Sequence, residues 1–171
     1  MLDIMCRRRS VRKFAPDMPD ERDIERLVDA ALLAPSAKDT RNVDLIVVRD
    51  KRLIERMAQC RADTGAYALE SAPLALAIVG RPNGDPMWDL NAAVAATYIL
   101  LEAEALGLGC CWVQMLRKDG YAGRPSDALV GDILSIPSGM IVSCVMASGH
   151  AAETKPPRLV VDLDRSRATY R

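Results

Sequence analysis

Aromatic side chains are scarce: the 171 residues include two Trp, four Tyr and one Phe. A core with so few rings must be filled by Leu, Val, Ile, Met and many alanines, and alanine at helix contacts means closely packed helices. Histidine is rarer still, with His150 alone. A Ser-His-Asp hydrolase would have to rest on that one imidazole, and no G-x-S-x-G accompanies it. The five cysteines, Cys6, Cys60, Cys110, Cys111 and Cys144, contain no C-x-x-C pair, so no metal site is expected. Their odd number and irregular spacing predict reduced thiols in a cytoplasmic protein rather than a disulfide framework.

An excess of one charge is also missing, since 23 Lys plus Arg balance 23 Asp plus Glu. That argues against a protein that coats nucleic acid or an anionic membrane. No apolar run is long. The most apolar stretch, Ala92 to Leu101, is ten residues and is followed by Glu102 and Glu104, too short to span a bilayer. Met1 to Arg7 has no basic-then-apolar order and no small-residue cleavage site, so no signal peptide is read.

What remains is ordinary globular composition, 50% apolar and 27% charged, in a length that suits one domain over residues 1–171. Leu2 to Arg9 reads as a short helix, and Ser10 to Phe14 as an extended segment. Asp20 is placed as the N-cap of a helix carrying Ile24, Leu27, Val28, Ala31 and Leu32 at helical spacing, which Pro35 ends. Ser36 to Asn42 is a polar loop. Four short apolar runs read as buried strands: Leu45 to Val48, Leu74 to Val79, Gly109 to Val113 and Ile141 to Met146. Leu159 to Val161 reads as a short fifth. Helices are placed over Lys51 to Cys60, Asp89 to Leu106 and Ser126 to Leu134, the last capped by Ser126. The Asp89 to Leu106 helix is apolar nearly all round and should be central.

The alternation of strands and helices is irregular, so the class is α+β with one sheet flanked by helices. A Rossmann dinucleotide site is excluded: Gly107-Leu108-Gly109 is followed by Trp112 where a third glycine would stand.

Four segments could carry chemistry. Arg7-Arg8-Arg9-Ser10-Val11-Arg12-Lys13 places five cations in seven positions of a neutral protein. In an extended chain Ser10 and Arg12 share a face, and guanidinium groups fit phosphate oxygens bidentately. The segment reads either as a phosphate clamp or as a solvated basic surface. Ala34 to Asn42 is a short loop dense in hydrogen-bonding groups, or simply a helix-to-strand connection. The alanine-rich long helix is either core packing or one half of an intersubunit helix pair. Cys110 and Cys111 should face opposite sides of a strand as small buried hydrophobes. Lys155-Pro156-Pro157-Arg158 is either a solvated tail or an extended arm that brings two cations to an anion.

In order along the chain, these pieces resemble the nitroreductase family. Arg8-Arg9-Ser10-Val11-Arg12-Lys13-Phe14 is similar to the family's R-R-S-x-R-x-F opening. Ala34-Pro35-Ser36-Ala37 before Leu45 to Val48, Ala105 to Val113, Ile136-Pro137, Gly149 and the Lys155 to Leu159 tail follow in register.

The resemblance implies an α+β sandwich with a central mixed or antiparallel sheet, in an intertwined homodimer with FMN at the interface. It implies that Arg8, Arg9, Ser10 and Arg12 hold the flavin phosphate and ribityl chain, and that Arg158 with Lys155 closes over the phosphate. Pro35, Ser36 and Ala37 would reach the flavin from the other subunit. The backbone at Gln114 and Met115 would lie near the ring edge that bears N5.

The implied activity is ping-pong hydride transfer from NADH or NADPH through FMN to a nitroaromatic, a quinone or a similar small acceptor. The protein supplies position and electrostatics, and no side chain is named as catalytic. One place departs from the family pattern. Asp39, Arg41, Asn42 and Val43 stand where Asn and Gln-Pro-Trp are usual, so Asp39 brings a carboxylate where an amide is common. That departure motivates an alternative, a flavin- or ligand-binding protein without turnover. Two further alternatives are a specialised enzyme of the same fold that fragments flavin or removes halogen, and a structural domain.

Overall fold

The computed structural model describes residues 1–171. Its elements in chain order are α1 (Leu2–Arg7), α2 (Glu21–Leu32), β1 (Val43–Val48), α3 (Lys51–Ala58), α4 (Ala68–Ser71), β2 (Leu74–Gly80), α5 (Trp88–Ala105), β3 (Gly109–Gln114), α6 (Ser126–Leu134) and β4 (Ile141–Gly149). The strands form one sheet in the order β1-β2-β4-β3. Every neighbour pair is antiparallel, so the sheet is antiparallel rather than mixed. β1 and β3 are its two edges.

The inner strands β2 and β4 are buried on both faces, while the edge strand β1 is only partly buried. In β2, Leu74, Leu76 and Ile78 pack with Ile24 and Leu27 of α2 and with Ala92, Ala95, Ala96, Ile99 and Ala103 of α5. Ala75 and Ala77, alternating with them, pack on the opposite side with Ile54 and Met57 of α3, Leu69 of α4 and Val130 of α6. Large side chains thus meet the alanine face of α5, which lets that helix lie close to the sheet. Cys110 and Cys111 fall into these two separate clusters, the opposite facing that strand geometry requires.

Several expectations are corrected. Leu159 to Val161 is not a strand: Val160–Asp162 forms a single 3-10 turn, and Leu159 and Val161 are 54% and 84% exposed with no strand beside them. An apolar run without a partner edge cannot form a ladder. α1 stops at Arg7, leaving Arg8 and Arg9 in irregular chain. Ser126 lies inside α6, with Pro125 at the cap position, and its hydroxyl donates to Asp119 O at 3.0 Å. Asp20 does stand at the N-cap of α2, but its carboxylate makes no capping bond.

The N-terminal segment then crosses the start of β3. Ser10 forms a parallel bridge with Cys110 and Phe14 an antiparallel one with Ala151, while Val11 N–H donates to Cys110 O at 3.1 Å. Gly109 permits this approach, because a Cβ there would lie 2.8 Å from Val11 Cγ1.

Candidate functional site

Charge-bearing segments far apart in sequence meet along the outer edge of β3. The C-terminal arm docks on the N-terminal segment: Arg158 N–H donates to Cys6 O at 2.9 Å, and Lys155 Nζ donates to Ser10 O at 2.6 Å. Arg9 donates to Pro156 O, and Arg12 Nη1 to Ser10 O at 3.3 Å. Glu153 anchors the junction. One carboxylate oxygen accepts Arg12 N–H at 2.6 Å and lies 3.2 Å from Lys155 Nζ. Those contacts, led by the Arg12 amide, hold the Glu153 carboxyl below its usual range. Arg7, Arg9, Val11, Glu153 and Lys155 line a hollow of about 330 Å³ here.

The sequence-predicted cations therefore converge, but not in equal roles. Arg9 and Lys155 bind backbone carbonyls across the junction and fasten the arm, while the Arg12 guanidinium bonds Ser10 O within its own segment. The guanidinium groups of Arg8 and Arg158 have no partner within the chain, although both residues are at least part-exposed. Of the sequence-predicted site cations, these two are the ones free to bind an anion.

A second cluster forms before β1. Pro35, Ser36 and Ala37 lead into a 3-10 turn, Ala37–Asp39. Lys38, Asp39 and Arg41 have φ of 54°, 52° and 44°, a left-handed conformation that costs each of these L residues roughly 1 kcal/mol. Asn91 of α5 holds the loop. Its Oδ1 accepts Ala37 N–H at 2.9 Å, and its Nδ2 donates to Asn42 Oδ1 at 2.9 Å and Thr40 Oγ1 at 3.3 Å. Asn42 Nδ2 in turn donates to Asp85 Oδ2 at 2.7 Å, and Ser36 Oγ accepts Arg41 N–H at 3.0 Å. Asp39 is paired locally, with Arg41 Nε donating to Oδ1 at 2.9 Å. Sequence reasoning did not name Asn91. Its signal was a lone amide in an alanine-rich helix, where it is 6% exposed.

The two clusters stand at opposite edges of the sheet. Three strand spacings separate those edges, roughly 14 Å, so one copy does not bring Pro35 to Asp39 onto the Arg8 to Arg12 groove.

At the far end of β3, Gln114 and Met115 act differently from each other. Met115 is fully buried. Its N–H and that of Leu116 both donate to Ser143 O, at 3.2 and 2.9 Å, beside the register shift between β2 and β4. The Gln114 side chain braces the turn, accepting Trp112 Nε1 at 2.8 Å and donating to Leu116 O at 3.1 Å. Its backbone carbonyl faces outward and accepts Arg61 Nη1 at 3.0 Å. Arg61 was also missed from sequence, because its partner is more than fifty positions away.

Four of the five cysteines, Cys60, Cys110, Cys111 and Cys144, are buried and inert. Burial pushes Cys60 up to about 11 and Cys110 to about 12, and it raises Cys111 and Cys144 as well. Thiolate, the nucleophilic form, is therefore negligible at neutral pH. No group of three His, Cys, Asp or Glu side chains could hold a metal ion, and no helix is long and apolar enough to cross a membrane.

Comparison with known proteins decides the family. The model of the nitroreductase family matches residues 6–67 and 61–150. The chain belongs to the nitroreductase family. A Methanothermobacter thermautotrophicus relative named "Putative NADH dehydrogenase/NAD(P)H nitroreductase" is 30% identical over 169 residues, 96% of this chain and 84% of that protein. An Archaeoglobus fulgidus protein of the same name is 29% identical over 158 residues, 90% of this chain and 87% of that one. Among solved structures, an FMN-dependent nitroreductase from Clostridium difficile R20291 superposes with a TM-score of 0.96 at 34% identity, covering 99% of this chain and 98% of that one. For a family member, the cation groove along β3 and the Asn91-held loop are the two regions that need a role.

Proposed function

We propose that this nitroreductase-family chain is an FMN-dependent NAD(P)H oxidoreductase that works as a homodimer. The observation that carries the reading is the docked arm. Its Arg158 N–H bonds Cys6 O, which docks the arm on the segment that carries Arg8, and neither of these two guanidinium groups has a partner within the chain. That donor set fits a phosphate monoester: each guanidinium can give a bidentate, charge-assisted pair of bonds. The Clostridium difficile neighbour, described as FMN-dependent, supports the same cofactor. When bound, FMN supplies hydride transfer from NADH or NADPH to an electron-poor acceptor such as a nitroaromatic or a quinone, in ping-pong order.

This chain's residues then bind and orient. Arg8 and Arg158 take the phosphate. Ser10, Arg9, Arg12 and Lys155 shape the wall along which the ribityl chain runs. The β3 edge toward Gln114 and Met115 borders the ring, roughly 14 Å from Cys110 at a strand rise of ~3.4 Å per residue. Pro35, Ser36 and Ala37 of a second copy cover the ring from the other side. The Asp39 carboxylate is paired with Arg41 in an exposed surface bridge. The binding-only alternative rests on the altered Asp39 to Val43 loop as a whole, and reduction of the bound flavin by NADH or NADPH decides between the two readings.

Exposed apolar residues favour the dimer. Met1, Leu33 and Tyr98 help line an apolar groove of about 490 Å³ between α1, α2 and α5, and Leu33 is 77% exposed. Exposed apolar surface gathered in one place marks an interface.

The test is a titration of the purified protein with FMN, followed by flavin fluorescence. Saturable binding that rising salt weakens supports the reading. Binding that persists unchanged when Arg8 and Arg158 are both replaced by Ala refutes the proposed phosphate site.

A further inference from the structure

One buried donor in this molecule has no partner. Arg61 is the only buried charged residue, 8% exposed. Its Nη1 donates to Gln114 O at 3.0 Å and its Nη2 to the Asp63 carboxylate, while its Nε is buried without a partner. The guanidinium lies against bare backbone, since a Cβ on Gly65 would come 2.4 Å from Arg61 Cζ. Gly65 N–H completes the turn by donating to Asp63 Oδ1 at 2.9 Å. Burying a cation with one N–H unsatisfied is costly. A neutral amide could tie this turn to β3 without that cost, so the charge itself calls for a role.

The strand geometry supplies one. Met115 N–H bonds inward to Ser143 O, so the backbone groups of Cys110, Trp112 and Gln114 face outward along the groove. Val11 caps the Cys110 carbonyl at one end, and Arg61 caps the Gln114 carbonyl at the other. With that acceptor occupied, the far end of the edge presents the Gln114 N–H and, behind it, a fixed positive charge. Arg12 sits 6.0 Å from the Tyr67 ring centroid, so the Arg61 to Tyr67 segment reaches from Gln114 to Arg12.

We infer that Arg61 is a positioning residue that sets the redox preference of the flavin ring, an assignment that rests on the flavin reading above. By capping Gln114 O and adding positive charge, it makes the ring end of the groove favour the anionic reduced form over the neutral oxidised form. Asp63 opposes this charge only in part, because its side chain is 62% exposed and water weakens its field.

The experiment compares the dissociation constants of oxidised FMN and of anaerobically reduced FMN for the full chain and three variants. In Arg61→Met the preference for reduced over oxidised FMN falls roughly tenfold, the size expected of one charge lost at short range in a partly wet site. That corresponds to a two-electron potential lowered by about 30 mV. Arg61→Lys keeps the charge and most of the preference. Asp63→Asn, which removes the opposing charge and leaves the fold's core untouched, raises it, and this variant decides the matter if Arg61→Met does not fold. A mere structural tie would weaken both forms alike and leave the ratio fixed. An unchanged ratio in Asp63→Asn and in any folded Arg61→Met overturns the assignment while leaving the flavin reading intact. Failure of the unaltered protein to bind either form overturns both.

Discussion

Arg8 and Arg158 differ from Arg9, Arg12 and Lys155 in having no internal work, and that difference predicts unequal mutants. Replacing both by Ala should weaken FMN binding by about 3 to 6 kcal/mol if two charge-assisted contacts of ~1.5 to 3 kcal/mol each are lost additively. Fluorescence titration would read this as a loss of at least about a hundredfold. Arg9→Ala should act instead through the arm, since its guanidinium holds Pro156 O. Asn91 makes the opposite kind of contribution. Asn91→Ala leaves the Ala37 N–H and the Asn42 amide short of partners in a part-buried loop, at a cost of about 1 to 3 kcal/mol. Urea denaturation would register that as a lower midpoint with unchanged slope. The buried thiols predict that a disulfide-exchange reagent at neutral pH labels Cys6 first, because it is the one cysteine that is not buried. Rapid labelling of more than one thiol per folded chain would contradict the packing described.

Among the elements, the four strands could be read from the sequence because each contains a continuous apolar run, fully buried in the inner strand β2 and partly buried in the edge strand β1, a pattern that needs no tertiary knowledge. Their ends shifted where pairing decides them: β1 begins at Val43 opposite Gly80, and β4 continues to Gly149 opposite Gly109. Leu159 to Val161 carries the same local signal and is no strand, because nothing lies beside it. The turn from Arg61 to Ala66 and the four-residue α4 were invisible, since a buried Arg salt-bridged to Asp63 carries no periodic signal. The cation motif of the site was legible, while the division between structural and free cations was not, for that depends on which carbonyls the arm meets. The arm itself should respond to pH. The folded Glu153 carboxyl is held below its unfolded value, so its contribution is fully present above the ordinary carboxylate range and is lost as pH falls through the lowered folded value. The Arg12 amide proton shift should follow that loss in acid, and Glu153→Gln should abolish the titration.

For the whole molecule, the edges of the sheet set the central constraint. The arm and its cations lie at β3, the Asn91-held loop lies at β1, and a second copy is the simplest way to bring the two together. Sedimentation should therefore report a dimer, and Leu33→Asp or Tyr98→Asp, which charge the apolar face, should lower dimer content and FMN retention together. The most direct measurement is the absorption spectrum of the purified protein after FMN addition and removal of excess, taken without oxygen before and after NADH or NADPH. The account predicts a retained flavin spectrum that bleaches with one of the two nucleotides. A spectrum that stays oxidised with both, or no retained flavin, would contradict it.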